Sequence, residues 1–164
     1  WAAATATRTA HATRGPEPTG VAPDLARELA RRAGASVEFI GYDLVREGNT
    51  LALTTYWRSV AGTRDDYTVF AHLVGAIDPA TASPVWAQDD ARPGRGSYPT
   101  ARWRVGEIVM DEYRLALPAD LPRDNYTIEI GMYILETGAR IRVLDANGAP
   151  MECNCVPIER ITFP

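Results

Sequence analysis

The sequence predicts an all-β body built from two antiparallel sheets packed face to face. Three observations carry that expectation. Residues 50–75, T-L-A-L-T-T-Y-W-R-S-V-A-G-T-R-D-D-Y-T-V-F-A-H-L-V-G, hold two runs rich in β-branched and aromatic residues around a Gly/Thr/Arg/Asp turn. The pattern reads as two adjacent antiparallel strands. Similar runs recur from residue 36 onward at short spacing, with turn residues between them and no alternating helices. Within them the side chains alternate: Leu51, Leu53, Thr55 and Trp57 share one side, and Val69, Ala71 and Leu73 oppose Phe70, His72 and Val74. One side can then line a core while the other stays partly wet.

In chain order, residues 1–20 are Ala/Thr-rich and then Pro/Gly-rich, which is the composition of a tail or linker. A segment with so little of its own to bury becomes ordered by lying against something else, and a neighbouring subunit or a groove on the same domain would both serve. Residues 21–34 are the helix expectation. Pro23 suits the first turn, Asp24 and Glu28 lie toward its N-terminal end, Leu25, Leu29 and Ala33 mark one side, and Arg31, Arg32 and Gly34 close it. Residues 35–164 form the β domain. Strands are expected over 36–45, in the two runs within 50–75, and over 83–88, 107–117, 125–135, 140–144 and 156–163, with an irregular loop over 89–106 and an Asn147-Gly148 turn. Between Met110 and Tyr113 the apolar residues change phase, which predicts a bulge. About eight strands with this spacing indicate an immunoglobulin-like, Greek-key sandwich. Tyr126, at the start of a strand and after L-P-R-D-N, fits a tyrosine corner, in which the hydroxyl bonds back to upstream backbone.

Composition narrows the function. The 164 residues are 46% hydrophobic and 23% charged, with a net charge of −4. That balance argues against a generic nucleic-acid binder, which carries a basic field. Every basic residue other than histidine is arginine, so neither lysine Schiff-base chemistry nor a lysine-bearing phosphate loop is possible. No apolar run reaches the roughly 20 residues needed to span a bilayer. Because the sequence opens on Trp1, a mature or excised piece of a longer protein is expected, with any membrane association made through a segment outside this chain.

The most function-like stretch is the loop containing Arg92, Arg95, Tyr98, Arg102, Trp103 and Arg104. Guanidinium forks bind carboxylate or phosphate, and aromatic rings stack on sugars, so this loop is the candidate for an anionic ligand or glycan. The competing reading is a crossover pinned by Trp103 in the core, its arginines paired to Asp89, Asp90 and Glu107. His72 reads as a hydrogen-bonded structural histidine. Cys153 and Cys155 are the redox or disulfide candidates; reduced thiols, a labile bridge and an intermolecular bond all fit a C-x-C pair. Asp65-Asp66, Asp89-Asp90 and Asp111-Glu112 invite a calcium reading but lack a D-x-D-x-D-G loop. No nucleophile, base and orienter arise at a catalytic spacing, so no catalytic residue, metal ligand or cofactor is assigned.

Four stretches carry a family resemblance: D-Y-T-V-F-A-H-L over 66–73, Y-P-T-A-R-W-R-V-G-E over 98–107, L-P-A-D-L-P over 117–122, and N-Y-T-I-E-I-G-M-Y over 125–133. Together they resemble the extracytoplasmic C-terminal β-sandwich domain of bacterial polytopic membrane proteins of the dolichyl-phosphate-mannose mannosyltransferase type. The C-N-C segment departs from that pattern. The resemblance implies an extracytoplasmic location and places transferase chemistry in a membrane portion outside this chain. The resulting expectation is a non-catalytic interaction domain, accessory to a membrane protein or cell-surface assembly. Its rivals are a structural subunit joined through the N-terminal tail, a glycan-binding module and a fragment of a membrane glycosyltransferase.

Overall fold

The computed structural model describes residues 36–145 and 149–163. The expected tail, the helix over 21–34 and the Asn147-Gly148 turn lie outside the described residues. Among the described residues seven strands follow one another: β1 (Val37–Glu47), β2 (Thr50–Ser59), β3 (Tyr67–Asp78), β4 (Ser83–Gln88), β5 (Ile108–Ala116), β6 (Asn125–Ile134) and β7 (Val156–Thr162). All pairings between them are antiparallel, in a three-stranded sheet ordered β1-β2-β5 and a four-stranded sheet ordered β4-β3-β6-β7. One buried cluster draws on both: Leu51, Leu53 and Trp57 from β2 meet Val69, Ala71 and Leu73 from β3 and Ile128 and Ile130 from β6. Each fully buried aliphatic side chain of this kind contributes about 1.5–3 kcal/mol.

The alternation over residues 50–75 is therefore right, but the pairing it suggested is corrected. β2 pairs with β1 and β5, whereas β3 pairs with β4 and β6. The connection over residues 60–66 carries the chain from one sheet to the other, and apolar residues of both strands join one buried cluster. Pattern alone shows which side of a strand is buried, not which strand lies beside it.

The expected bulge in β5 is also corrected. β5 pairs with β2 without a break from Arg58↔Ile108 to Thr50↔Ala116. Val109, Asp111, Tyr113 and Leu115 are the buried, inward series, while Ile108 and Met110 point outward. The inward site that alternation assigns to a hydrophobe holds a carboxylate, which mimics a phase change. Register shifts fall elsewhere, between Phe39 and Gly41 in β1, at Leu73/Val74 in β3 and at Ile128/Glu129 in β6.

Residues 140–144 form no strand. They belong to the long connection from β6 to β7, which is held by isolated bridges at Tyr133↔Arg140 and Leu144↔Pro150. The tyrosine corner is present: Tyr126 Oη donates to the Pro122 carbonyl at 3.0 Å, and its ring is buried.

Candidate functional site

The arginine loop leaves β4 as an extension of the four-stranded sheet. Val69 and Ala91 form a bridge, with both backbone bonds at 2.9 and 3.0 Å. Continued alternation sends the adjacent acids in opposite directions. Asp89 turns toward β5, where it accepts from the Arg114 N–H at 2.6 Å and from both terminal nitrogens of Arg95 at 2.7 and 2.5 Å. Asp90 turns to the outer side of the sheet, 3.0 Å from His72 Nε2, and accepts from Tyr133 Oη at 3.2 Å. The pair that resembled a calcium motif is thus divided between two environments. Asp111 and Glu112 divide the same way, one buried and one exposed.

After Ala91 the loop makes a tight 3-10 turn over Pro93–Gly96 in which Gly94 (φ 61°) and Arg95 (φ 54°) are both left-handed. Glycine takes that conformation freely; arginine does so at a cost. The compensation is visible in the contacts. The Gly94 N–H donates to Asp111 Oδ1 at 3.0 Å. Arg95 forms its two-pronged pair with Asp89, donates to the Glu112 carbonyl at 3.2 Å, and lies 5.7 Å from the centre of the Tyr113 ring. Arg95 therefore stitches the β4 end to β5.

Asp111 is the anchor beneath this turn. Besides Gly94 it accepts from the Glu112 N–H at 3.1 Å and from the Tyr113 hydroxyl. Burial pushes its pKa up, and the bonds from Tyr113, Gly94 and Glu112 pull against that shift. Burial and the neighbouring carboxylate push the Tyr113 phenol well up, so it stays a donor. Thr55 lies opposite Asp111 in the ladder; its Oγ1 donates to the Asp111 carbonyl at 3.3 Å and accepts from Trp57 Nε1 at 2.9 Å. A polar seam therefore runs through the core with its partners supplied.

The second half of the loop is held from inside. Trp103 is 5% exposed and its indole N–H donates to the Tyr98 carbonyl at 3.1 Å. Tyr98 Oη reaches both oxygens of Glu107 at 2.8 and 3.0 Å, and Glu107 Oε2 also accepts the Arg104 N–H at 2.8 Å. Thr100, fully buried, bonds the Asp65 carbonyl at 2.8 Å and receives the Tyr67 N–H at 2.9 Å. Arg92 pairs with Glu136 at 3.0 Å. Of the predicted site residues, then, Arg92, Arg95, Tyr98 and Trp103 have internal partners. A ring as deeply placed as Trp103 offers no face to a sugar, which corrects its place in a stacking platform. Arg102 and Arg104 are exposed on either side of it, beside Val105 at 68% exposure.

Cys153 and Cys155 form an intrachain disulfide. They sit in a turn preceding β7, with Asn154 at φ 47°. Cys153 is exposed and Cys155 fully buried. Beside this turn Phe70, on the outer side of β3, is 1% exposed. Its ring has the Arg140 guanidinium 4.4 Å above it, His72 at 4.9 Å and Tyr133 at 6.4 Å. Opposite it in the ladder is Gly131, where an added Cβ would lie 2.5 Å from the Phe70 ring and 3.1 Å from the Asn154 carbonyl oxygen.

Sequence reading named Asp90, Asp111 and Tyr113 without finding the roles the structure gives them, and it passed over Arg140. Asp111 was signalled by its polar side chain at an inward position, and Asp90 by its odd-even relation to Gln88 beyond the end of β4. Arg140 gave no local signal, because it reaches Phe70 only through the fold of the β6–β7 connection. Among the described residues no three His, Cys, Asp or Glu side chains gather as metal ligands. No helix among them is long and apolar enough to cross a membrane. Neither a protein-family model nor a curated protein matches the chain.

Proposed function

We propose that this chain is a non-catalytic, extracytoplasmic interaction domain, an accessory part of a membrane protein or cell-surface assembly. The observation that carries the reading is the tip at residues 102–105. It presents two arginines and a valine to solvent on a frame fixed by Trp103 and Glu107. Arginine beside exposed apolar surface is a composition favoured at protein contacts, and a tip ordered before binding loses little freedom on association.

The fold side of the proposal is an immunoglobulin-like Greek-key sandwich. In its support, the strand orders β1-β2-β5 and β4-β3-β6-β7 accompany a tyrosine corner at the start of β6. The disulfide supports an oxidising, extracytoplasmic setting, since such bonds persist there and are rare in reducing compartments.

Photo-crosslinking tests the contact. A photoreactive residue replaces Val105 in one preparation and Thr81, in the turn at the opposite end of β3, in another. The expected result is a specific protein adduct from position 105 whose purified partner binds the wild-type domain. Arg104→Ala together with Val105→Asp weakens that binding at least about tenfold, the loss of one interface hot spot. Equal capture from both positions, or unchanged affinity in the double variant, overturns the reading.

A further inference from the structure

We infer that the Cys153–Cys155 disulfide is a thiol-exchange site, opened at Cys153 by an external dithiol, and that its opening releases the β6–β7 connection from Phe70. Three observations converge on it. The first is access: Cys153 is exposed while Cys155 is fully buried. An incoming thiolate therefore meets one sulfur only, and access is among the factors that set exchange rate. The second is ring size. A bridge between residues two apart removes little disorder from the unfolded chain, so its role in global stability is small.

The third is what the ring holds. Arg140 Nη1 donates to the Cys153 carbonyl at 2.9 Å, and the same guanidinium covers the Phe70 ring at 4.4 Å. Asn154 is bonded on both sides within the connection, its N–H to the Met151 carbonyl at 3.0 Å and its Oδ1 from the Val143 N–H at 3.4 Å. Asn154 also keeps a left-handed backbone that an open chain would leave more readily than a closed ring. The disulfide thus fixes the carbonyl to which the lid over Phe70 is tied.

The chemistry balances as ordinary thiol–disulfide exchange. The thiolate of the dithiol bonds to Cys153 Sγ, the bond to Cys155 breaks, and Cys155 Sγ takes the electron pair and then a proton from water. The second thiolate of the reagent attacks its own sulfur in the mixed disulfide, and Cys153 leaves with the electron pair and is protonated. The reagent is oxidised to its cyclic disulfide, and the protein gains two electrons and two protons. Until that second step Cys155 remains two residues from the mixed disulfide, so reclosure competes and the modification is reversible.

Reduction kinetics on the folded wild-type protein test this, with dithiothreitol as the dithiol, iodoacetamide as the trap and mass spectrometry as the readout. The bridge is expected to open in native buffer at least about tenfold faster than the chain unfolds globally. Hydrogen exchange over residues 140–145 and 149–156 then rises while the amides pairing β3 with β6 keep their protection. In Cys155→Ser, glutathione disulfide caps Cys153; in Cys153→Ser the remaining thiol reacts about tenfold more slowly. Reduction no faster than global unfolding, or unchanged exchange over 140–145 and 149–156, overturns the inference. Both of those measurements use wild type alone, so neither depends on a variant that folds.

Discussion

The outer sides of the two sheets follow the same alternation and end in opposite environments. On the β1-β2-β5 sheet the outward residues pair across strands: Glu38 with Arg58 at 3.1 Å, Asp43 with Tyr56 at 2.7 Å, and Glu47 with Arg114 at 2.6 Å. On the β4-β3-β6-β7 sheet the corresponding positions hold Phe70, His72, Gly131 and Tyr133, and the β6–β7 connection brings Arg140 and the disulfide turn against them. The difference is topological rather than local. An outward side that stays exposed favours groups that water can solvate, whereas one crossed by a returning segment can bury an aromatic ring. An outward hydrophobe is thus a sign of something packed on it.

The widest gap between the two sides should appear on truncation. Phe70→Ala is expected to cost about 3–5 kcal/mol in urea denaturation, as for other buried aromatics. A loss below about 1 kcal/mol would mean that the ring is no more enclosed than a surface side chain. Gly131→Ala comes next. Its new methyl group meets the Phe70 ring and the Asn154 carbonyl, and a destabilisation of about 1–3 kcal/mol is expected from overpacking. Combining it with Phe70→Ala should recover part of that loss, which a double-mutant cycle measures.

Acid titration sharpens the comparison where one chain segment serves both environments. Hydrogen bonding to Arg95 lowers the Asp89 pKa from its ordinary 3.8, with burial opposing and the Arg114 N–H assisting. A carboxyl depressed in the folded state gives stability that is full above its unfolded value and lost as pH falls through its folded value. Asp89→Asn should therefore flatten the acid limb of the stability curve below about pH 4. An unchanged limb would show that the pair with Arg95 gives no net stabilisation. The smallest effect belongs to the solvated side. Glu47→Ala removes an ion pair whose side chains are 51% and 58% exposed, and a change within about 1 kcal/mol is expected. A larger loss, measured by the same denaturation, would mean that this outer side is also covered.

Much of the fold was legible because it rests on local signals. The bounds of β4, the inward series from Leu51 to Trp57 and the Tyr126 corner all follow from residue type and spacing within one segment. Legibility failed where a distant partner decides the outcome. Asp111 looks like a phase error until Gly94 and Tyr113 supply its bonds. The apparent strand over 140–144 has the composition to pair but meets β6 in a single bridge centred on Arg140, closed by the Ile141 N–H on the Met132 carbonyl. At the arginine loop the sequence found the right residues and could not apportion them. Arg95 and Arg102 are equal in the sequence, and only the arrival of Asp89 and Tyr113 beside Arg95 separates a structural pair from an exposed guanidinium.

The closure of residues 98–107 upon themselves has a practical consequence. Glu107 grips Tyr98 and the Arg104 amide together, and Trp103 plugs the interior, so the frame makes no demand on the side chains of Ala101, Arg102 or Val105. Those positions can be rewritten while the scaffold stays put, which makes this rim a natural place for new recognition sequences to be grafted.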